Sequence, residues 1–239
     1  MQEPQPFALS DQTIQALNKK AVRLFRSVRR RLSIMDFDEL NVMTEVDNLF
    51  AKLDKSTRKA YKKLFIERFL ESLAYALFVL PKHNDAADKV TEDTVEELSE
   101  LYLFGTKVKT KKTEESDNVG VLVVPDELTH YAYDTEILRK RDRAKEAIIA
   151  ANGMASKQAE LDNALRYWSK QMQQYADIVS DSAQLAAYKL AGVKRVQWVS
   201  QKDEKVCTVC HKLDGKVFRI DKAPGPQHWN CRCYLVIVV

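Results

Sequence analysis

Between Gly153 and Gly192 the chain has no proline and no further glycine, and its apolar residues keep one helical period throughout. Leu161, Leu165, Trp168, Met172, Tyr175, Val179, Ala183, Ala186 and Leu190 recur at spacings of three and four, so they form one stripe on one long helix. Such a helix cannot stand alone in water. Its stripe must meet other apolar faces, and Trp168 and Met172 are expected as plain core. Gly192 is the expected stop.

Other segments repeat the pattern. After a proline-containing start, Ser10 is placed to cap a helix carrying Ile14, Leu17, Ala21, Leu24, Val28 and Leu32. Lys19, Arg23, Arg26 and Arg30 share the same period on another face of it. A second helix is expected from about Asp36 to Leu53, and a third from about Ser56 to Leu80, ended by Pro81. A fourth, acidic helix is expected from Thr91 to Phe104 with Gly105 as its C-cap, and a fifth from Asp134 to a break at Asn152-Gly153. Between residues 106 and 133 the period fails. That stretch is polar and mixed in charge and contains VGVLVV, a short strand or an extended arm.

After Gly192 the texture changes. VKRVQWVS alternates polar and apolar residues, KVFRI follows an Asp214-Gly215 turn, and YLVIVV closes the sequence. The expected fold class is α+β, mainly α: a long helical body with a small C-terminal three-stranded antiparallel module. The expected divisions are an N-terminal helical region to residue 105, an arm over 106–133, long helices over 134–192 and the β module over 193–239.

Composition agrees with this division. Glycine and proline number only six each in 239 residues, and 45% of residues are hydrophobic. The net charge of +4 is uneven. Residues 1–35 and the tail are basic, while Asp85 to Glu100 is acidic. A basic end meets nucleic acid or an acidic protein surface, or is simply a solvated face. The longest apolar run, Leu73 to Leu80, is far short of the ~20 residues of a membrane helix, and the N-terminus has no signal-peptide pattern. The expectation is a soluble protein made in the cytosol, where thiols stay reduced and clustered cysteines point to metal before disulfide.

All four cysteines lie in that tail: Cys207-x2-Cys210, then 17 residues, then His228-x2-Cys231 and, one residue on, Cys233. Two such pairs separated by this distance form the pattern of a tetrahedral zinc site, with His228 in the third place. Soft thiolates with one imidazole suit Zn²⁺ better than harder ions. The expected ligands are Cys207, Cys210, His228 and Cys231, with Cys233 as the alternate, since residues 231 and 233 of a strand face the same way. His211 is a weaker competitor. Free buried thiols or disulfides are the other readings. Four protein ligands leave no open position for water, so the zinc would be structural, stapling a module too small to hold itself.

Other chemistry is missing from the pattern. No phosphate-cradling glycine motif and no G-x-S-x-G elbow occurs. His83 and His130 are isolated. Asp203, Glu204, Asp214 and Asp221 lie near the cysteines, which raises a zinc-dependent nuclease or toxin-like enzyme as an alternative; turn and strand-end roles are the plainer reading. A zinc-ribbon DNA-binding protein is a further alternative, without a recognition helix after the second pair.

The tail resembles a known signature. Gly192, Trp198, Asp203, Cys207, Cys210, Asp214, Gly215, Pro224, Pro226, His228, Cys231, Arg232 and Cys233 follow the C-terminal pattern of the minor head proteins of tailed bacteriophages, the Mu F-like family. The helices over RYWSKQMQQYADIVSDSAQLAAYKLAG are also similar to the family's middle, so the resemblance covers roughly residues 134–239. Trp229 departs from it, standing where the family often has proline. The resemblance implies a virion component present in few copies, made in the host cytoplasm and placed inside the head near the portal. It implies help in head assembly, DNA packaging or ejection, and no catalytic activity. The implied partners are the portal protein, packaged double-stranded DNA and the major capsid protein, with no membrane and no small-molecule substrate. Lys19, Arg23, Arg26 and Arg30 are the expected contact to DNA or portal.

Overall fold

The computed structural model describes residues 8–34, 39–104, 133–201, 206–225, 227 and 231–239. Its helices are α1 (Ala8–Leu32), α2 (Glu39–Val79), α3 (Glu92–Phe104), α4 (Tyr133–Ala150), α5 (Gly153–Ala191) and the short α6 (Thr208–Leu213). Three strands, β1 (Arg195–Val199), β2 (Val217–Arg219) and β3 (Tyr234–Val238), form one antiparallel sheet in the order β2-β1-β3. The fold is therefore mainly helical with a small three-stranded sheet, as the sequence implies. The arm over 106–132, including VGVLVV and His130, and Gly105 lie outside the described residues.

Two expectations are corrected. The helices expected over Asp36–Leu53 and Ser56–Leu80 are one helix of 41 residues. Nothing at Asp54-Lys55 breaks it, because the polar side chains there satisfy themselves along the helix: Ser56 Oγ donates to Lys52 O at 2.6 Å and Thr57 Oγ1 to Leu53 O at 2.9 Å. The helix ends at Val79, two residues before Pro81, where that ring forbids continuation. Ser10 also does not cap α1. It lies inside the helix, fully buried, and hydrogen-bonds the Asp177 side chain. Elsewhere Thr91 caps α3, its Oγ1 accepting from Thr94 N at 3.3 Å.

The stripe on α5 is the seat for the rest. α1 runs antiparallel to it, with Arg29 paired to Asp162 at one end and Ser10 meeting Asp177 at the other. On α1 the buried line runs through Phe25, while Leu24 is only half-buried. Phe50 of α2 fills the joint of the three helices, its ring edge-on at 6.2 Å from both Phe25 and Trp168. Farther along, Tyr61 donates to Met172 O at 2.9 Å and lies 4.9 Å from the Tyr175 ring. Ion pairs lace the outer helices on: Arg141 to Asp54 and Lys145 to Asp47 from α4, and Lys62 of α2 to Glu96 and Glu100 of α3.

The sheet docks on the same helix. Gly192 ends α5 in the left-handed region, φ 88°, with its N–H on the Tyr188 and Lys189 carbonyls. β1 leaves at once, burying Val196 and Trp198. Gln184 of α5 donates to the β3 carbonyl of Leu235 at 3.1 Å. One apolar cluster thus runs from Ile14 to Leu235.

Within it lies a polar seam. Arg68 of α2 is 1% exposed, pairs with Glu71 at 3.0 Å and faces Asp181. Burial lifts the Asp177 carboxyl from 3.8 to about 7, against the Ser10 hydrogen bond and with the Asp11 charge. Burial likewise lifts Asp181 to about 8, aided by Asp177 and opposed by Arg68. The folded chain therefore holds protons that the unfolded chain has released, and stability falls as pH rises from about 4 through these values.

Two outcomes follow from this packing. Phe50→Ala should cost about 3–5 kcal/mol in denaturant unfolding, since the ring touches three helices; a loss under about 1 kcal/mol contradicts the joint. Asp177→Asn, whose amide oxygen still accepts from Ser10, should flatten the pH dependence and raise the melting temperature at about pH 8, by about 2–4 °C per kcal/mol relieved. A parent protein more stable at about pH 8 than at about pH 5 would contradict the seam.

Candidate metal centre

The hairpin and α6 bring the cysteines together. After β1, Ser200 turns the chain: its N–H donates to Asp214 Oδ1 at 2.8 Å and its hydroxyl to Cys210 O at 2.9 Å. These bonds tie the first turn and the C-cap of α6 to the end of β1. Asp214 and Gly215 then form the turn into β2, Gly215 at φ 74°, with Gly215 N on Trp198 O at 2.9 Å. The C-x-x-C pair spans the first turn of α6. Cys207 is its N-cap, Sγ accepting from Cys210 N at 3.3 Å, and Cys210 follows one turn later, fully buried.

The second pair arrives with β3. Cys231 and Cys233 are both buried, on either side of exposed Arg232. Residues two apart on extended chain face one way, and both sulfurs enter the space beside Cys210. Cys210 Sγ is 3.6 Å from Cys231 Sγ, and the sulfurs of Cys210, Cys231 and Cys233 all lie within 4.8 Å of one another. Four sulfurs at 2.3 Å around one tetrahedral ion would lie about 3.8 Å apart, a separation that the Cys210–Cys231 pair is near. Cys207 is half-buried at the margin, its side chain hydrogen-bonded with that of Cys210.

Burial pushes the Cys210 thiol well up, and hydrogen bonds with Cys207 and Cys233 and the charge of Cys231 act the same way. Burial also raises Cys233. Alone, such thiols stay protonated. A dication would reverse the balance and release protons as it binds. The donor set is soft and enclosed, which suits zinc and leaves no acid or base in the cluster among the described residues.

Of the sequence-expected ligands, Cys210 and Cys231 lie in the cluster, Cys207 lies beside Cys210, and Cys233 enters together with Cys231 rather than instead of it. His228 lies outside the described residues, as do Asp203, Glu204 and Trp229. His211 is exposed on α6. The carboxylates near the cluster have other partners: Asp214 holds Ser200, and Asp221 pairs with Arg219 at 2.9 Å on the surface. Ser200 was not singled out by its sequence context; its position between the end of β1 and the cysteine pair is the one signal available. Lys19, Arg23, Arg26 and Arg30 are all exposed along one face of α1, far from this cluster in sequence. Among the described residues no helix is long and apolar enough to cross a membrane.

The family profile described as Phage Mu protein F like protein matches residues 132–236. No curated protein and no solved structure matches the chain significantly. The matched segment opens at α4, includes all of α5 and closes within β3, so it contains the whole cysteine cluster and the helix that carries it. Residues 132–236 are thus similar to the Phage Mu protein F like family, a family of phage head proteins.

Proposed function

We propose that the chain is a minor head protein of a tailed phage, a structural component of the virion that docks at the portal vertex inside the head and assists assembly, DNA packaging or ejection. The observation that carries this reading is the family match across α4 to β3, with the cysteine cluster inside it. The remaining evidence is of the same kind. Helices of 41 and 39 residues laced by ion pairs make a stiff scaffold, and the buried thiol cluster has the makings of a staple. A closed set of four protein ligands would leave no position for water or substrate, which supports a structural rather than catalytic role for the cluster.

Zinc is the ion this donor set suits. Cys210, Cys231 and Cys233 would hold it, with the fourth position filled by Cys207 or His228. The metal would supply cross-linking, tying α6 to the base of β3. In this reading residues 193–239 are a metal-stapled module, 134–192 its helical support, 1–105 an N-terminal helical region packed on that support, and 106–133 an extended arm or loop. The partners are the portal protein, packaged DNA and major capsid protein, and Lys19, Arg23, Arg26 and Arg30 offer the charged contact.

Two measurements test the proposal. Elemental analysis of purified protein should find one zinc per chain. Chelation or Cys210→Ser should remove it and lower the melting temperature, about 2–4 °C for each kcal/mol lost. Absence of stoichiometric metal, with melting unchanged by chelator, overturns the staple. In purified heads the chain should be present in few copies and cross-link to the portal protein; heads lacking the chain overturn the virion assignment.

A further inference from the structure

The exposed cations of α1 are not a solitary row. α2 runs antiparallel beside α1, with Arg31 of α1 bound to Glu45 of α2 at 2.8 Å at one end of the pair. A groove of about 330 Å³ between the two helices is flanked by Lys20 from α1 and by Lys59 and Lys63 from α2. Lys52, Lys59 and Lys63 recur at seven and four residues, so they form a second line along α2. All three are exposed, as are Lys19, Lys20, Arg23, Arg26 and Arg30.

The two lines are poor in counter-charge. Among the described residues no ion pair engages Lys19, Lys20, Arg23, Arg26, Arg30, Lys52 or Lys59; Lys63 meets Glu67 at 3.4 Å, and Glu67 is the single acid lining the groove. Elsewhere on the same helices cations are neutralised, as with Arg29, Arg31 and Lys62. This face is therefore where positive charge remains available.

The surface chemistry favours one partner class. Protein interfaces are depleted in lysine and anchored by buried aromatic side chains. Here the α1 line has one exposed large apolar residue beside it, Val22 at 39%, and the α2 lysine line ends on one, Leu70 at 38%; neither line carries an aromatic ring. Polyanion backbones need neither. Each line repeats at about 6 Å for every four residues, and packed helix axes lie roughly 8–10 Å apart. Those lengths are comparable with the about 6 Å and 12 Å widths of the duplex grooves. Cations so arranged can meet phosphates of both strands without reading bases.

We infer that α1 and α2 together form a sequence-independent binding face for the phosphate backbone of double-stranded DNA. The choice of DNA as the duplex rests on the head-protein reading; the two-helix cationic face does not, and it lies wholly outside the family-matched residues.

Anisotropy of a labelled 30-base-pair DNA duplex of arbitrary sequence, with the full zinc-replete chain, tests this at about 50 to 200 mM salt. Binding should weaken steeply with salt, with a log–log slope that loses about 0.9 for each phosphate contact removed. The triple variant Lys52→Gln, Lys59→Gln, Lys63→Gln should bind at least about tenfold more weakly at low salt, with a slope shallower by about 2.7. Circular dichroism should be unchanged, since these side chains are exposed. An Arg23→Gln, Arg26→Gln pair should act likewise. An unchanged slope in the triple variant overturns the two-helix face, as does failure of the folded parent to bind duplex. Strong preference for one sequence overturns backbone recognition. If the triple variant instead loses portal binding while the parent ignores DNA, the face is a protein contact and the inference fails. Heads lacking the chain, with duplex binding and its salt slope intact, would remove the virion reading and leave the face standing.

Discussion

Every part of this molecule depends on the burial of one long helical stripe. α5 is apolar along most of its length, so its exposure would be costly, and the surrounding elements are arranged to cover it. α1 and α2 close over its first two-thirds, with Phe25, Phe50 and Tyr61 set around Trp168 and Met172 of α5. The sheet covers the last turns through Val196, Trp198 and Leu235. The helix is not uniformly oily. Asp177 and Asp181 lie off the stripe, beside Ser10 of α1 and Arg68 of α2, and their raised affinity for protons reflects the conflict between helix packing and charge burial. Arg68 partly answers that conflict from α2.

Much of this was legible in the sequence because helical period is a strong, local signal. The stripes of α1 and α5, the stop at Gly192, the three strands and the core roles of Trp168 and Met172 follow from spacing alone. The errors arose where tertiary context decides. A polar dipeptide after Leu53 reads as a gap, yet Ser56 and Thr57 bond back to the helix and keep α2 whole. Ser10 reads as a cap, yet Asp177, 167 positions away, draws its hydroxyl inward. The lysine line on α2 was visible as a 7-and-4 repeat, but its alignment with α1 depends on how the two helices pair.

The cysteine cluster shows the same division. Spacing alone pointed to one shared site for the cysteines, and the fold gathers Cys210, Cys231 and Cys233. It did not settle whether residues 231 and 233 compete or cooperate, since that depends on the approach of β3 to α6. In the fold the two sulfurs share one pocket with Cys210. The bracing by Ser200 and Asp214 lies equally beyond local pattern, because it links the end of one strand with the first turn and the C-cap of a six-residue helix.

The strand order β2-β1-β3 has a consequence for how the tail assembles. The central strand is made first and its second neighbour last, with α6 and β2 between them. Cys210 is thus synthesised well before Cys231 and Cys233, and β1 exposes one unpaired edge until β3 arrives. A chain interrupted between Arg219 and Cys231 has a finished trunk but an open sheet and stranded thiols. Sheet closure and thiol gathering thus wait on the same element: pairing of β3 with β1 covers the open edge and delivers Cys231 and Cys233 to Cys210 in one step.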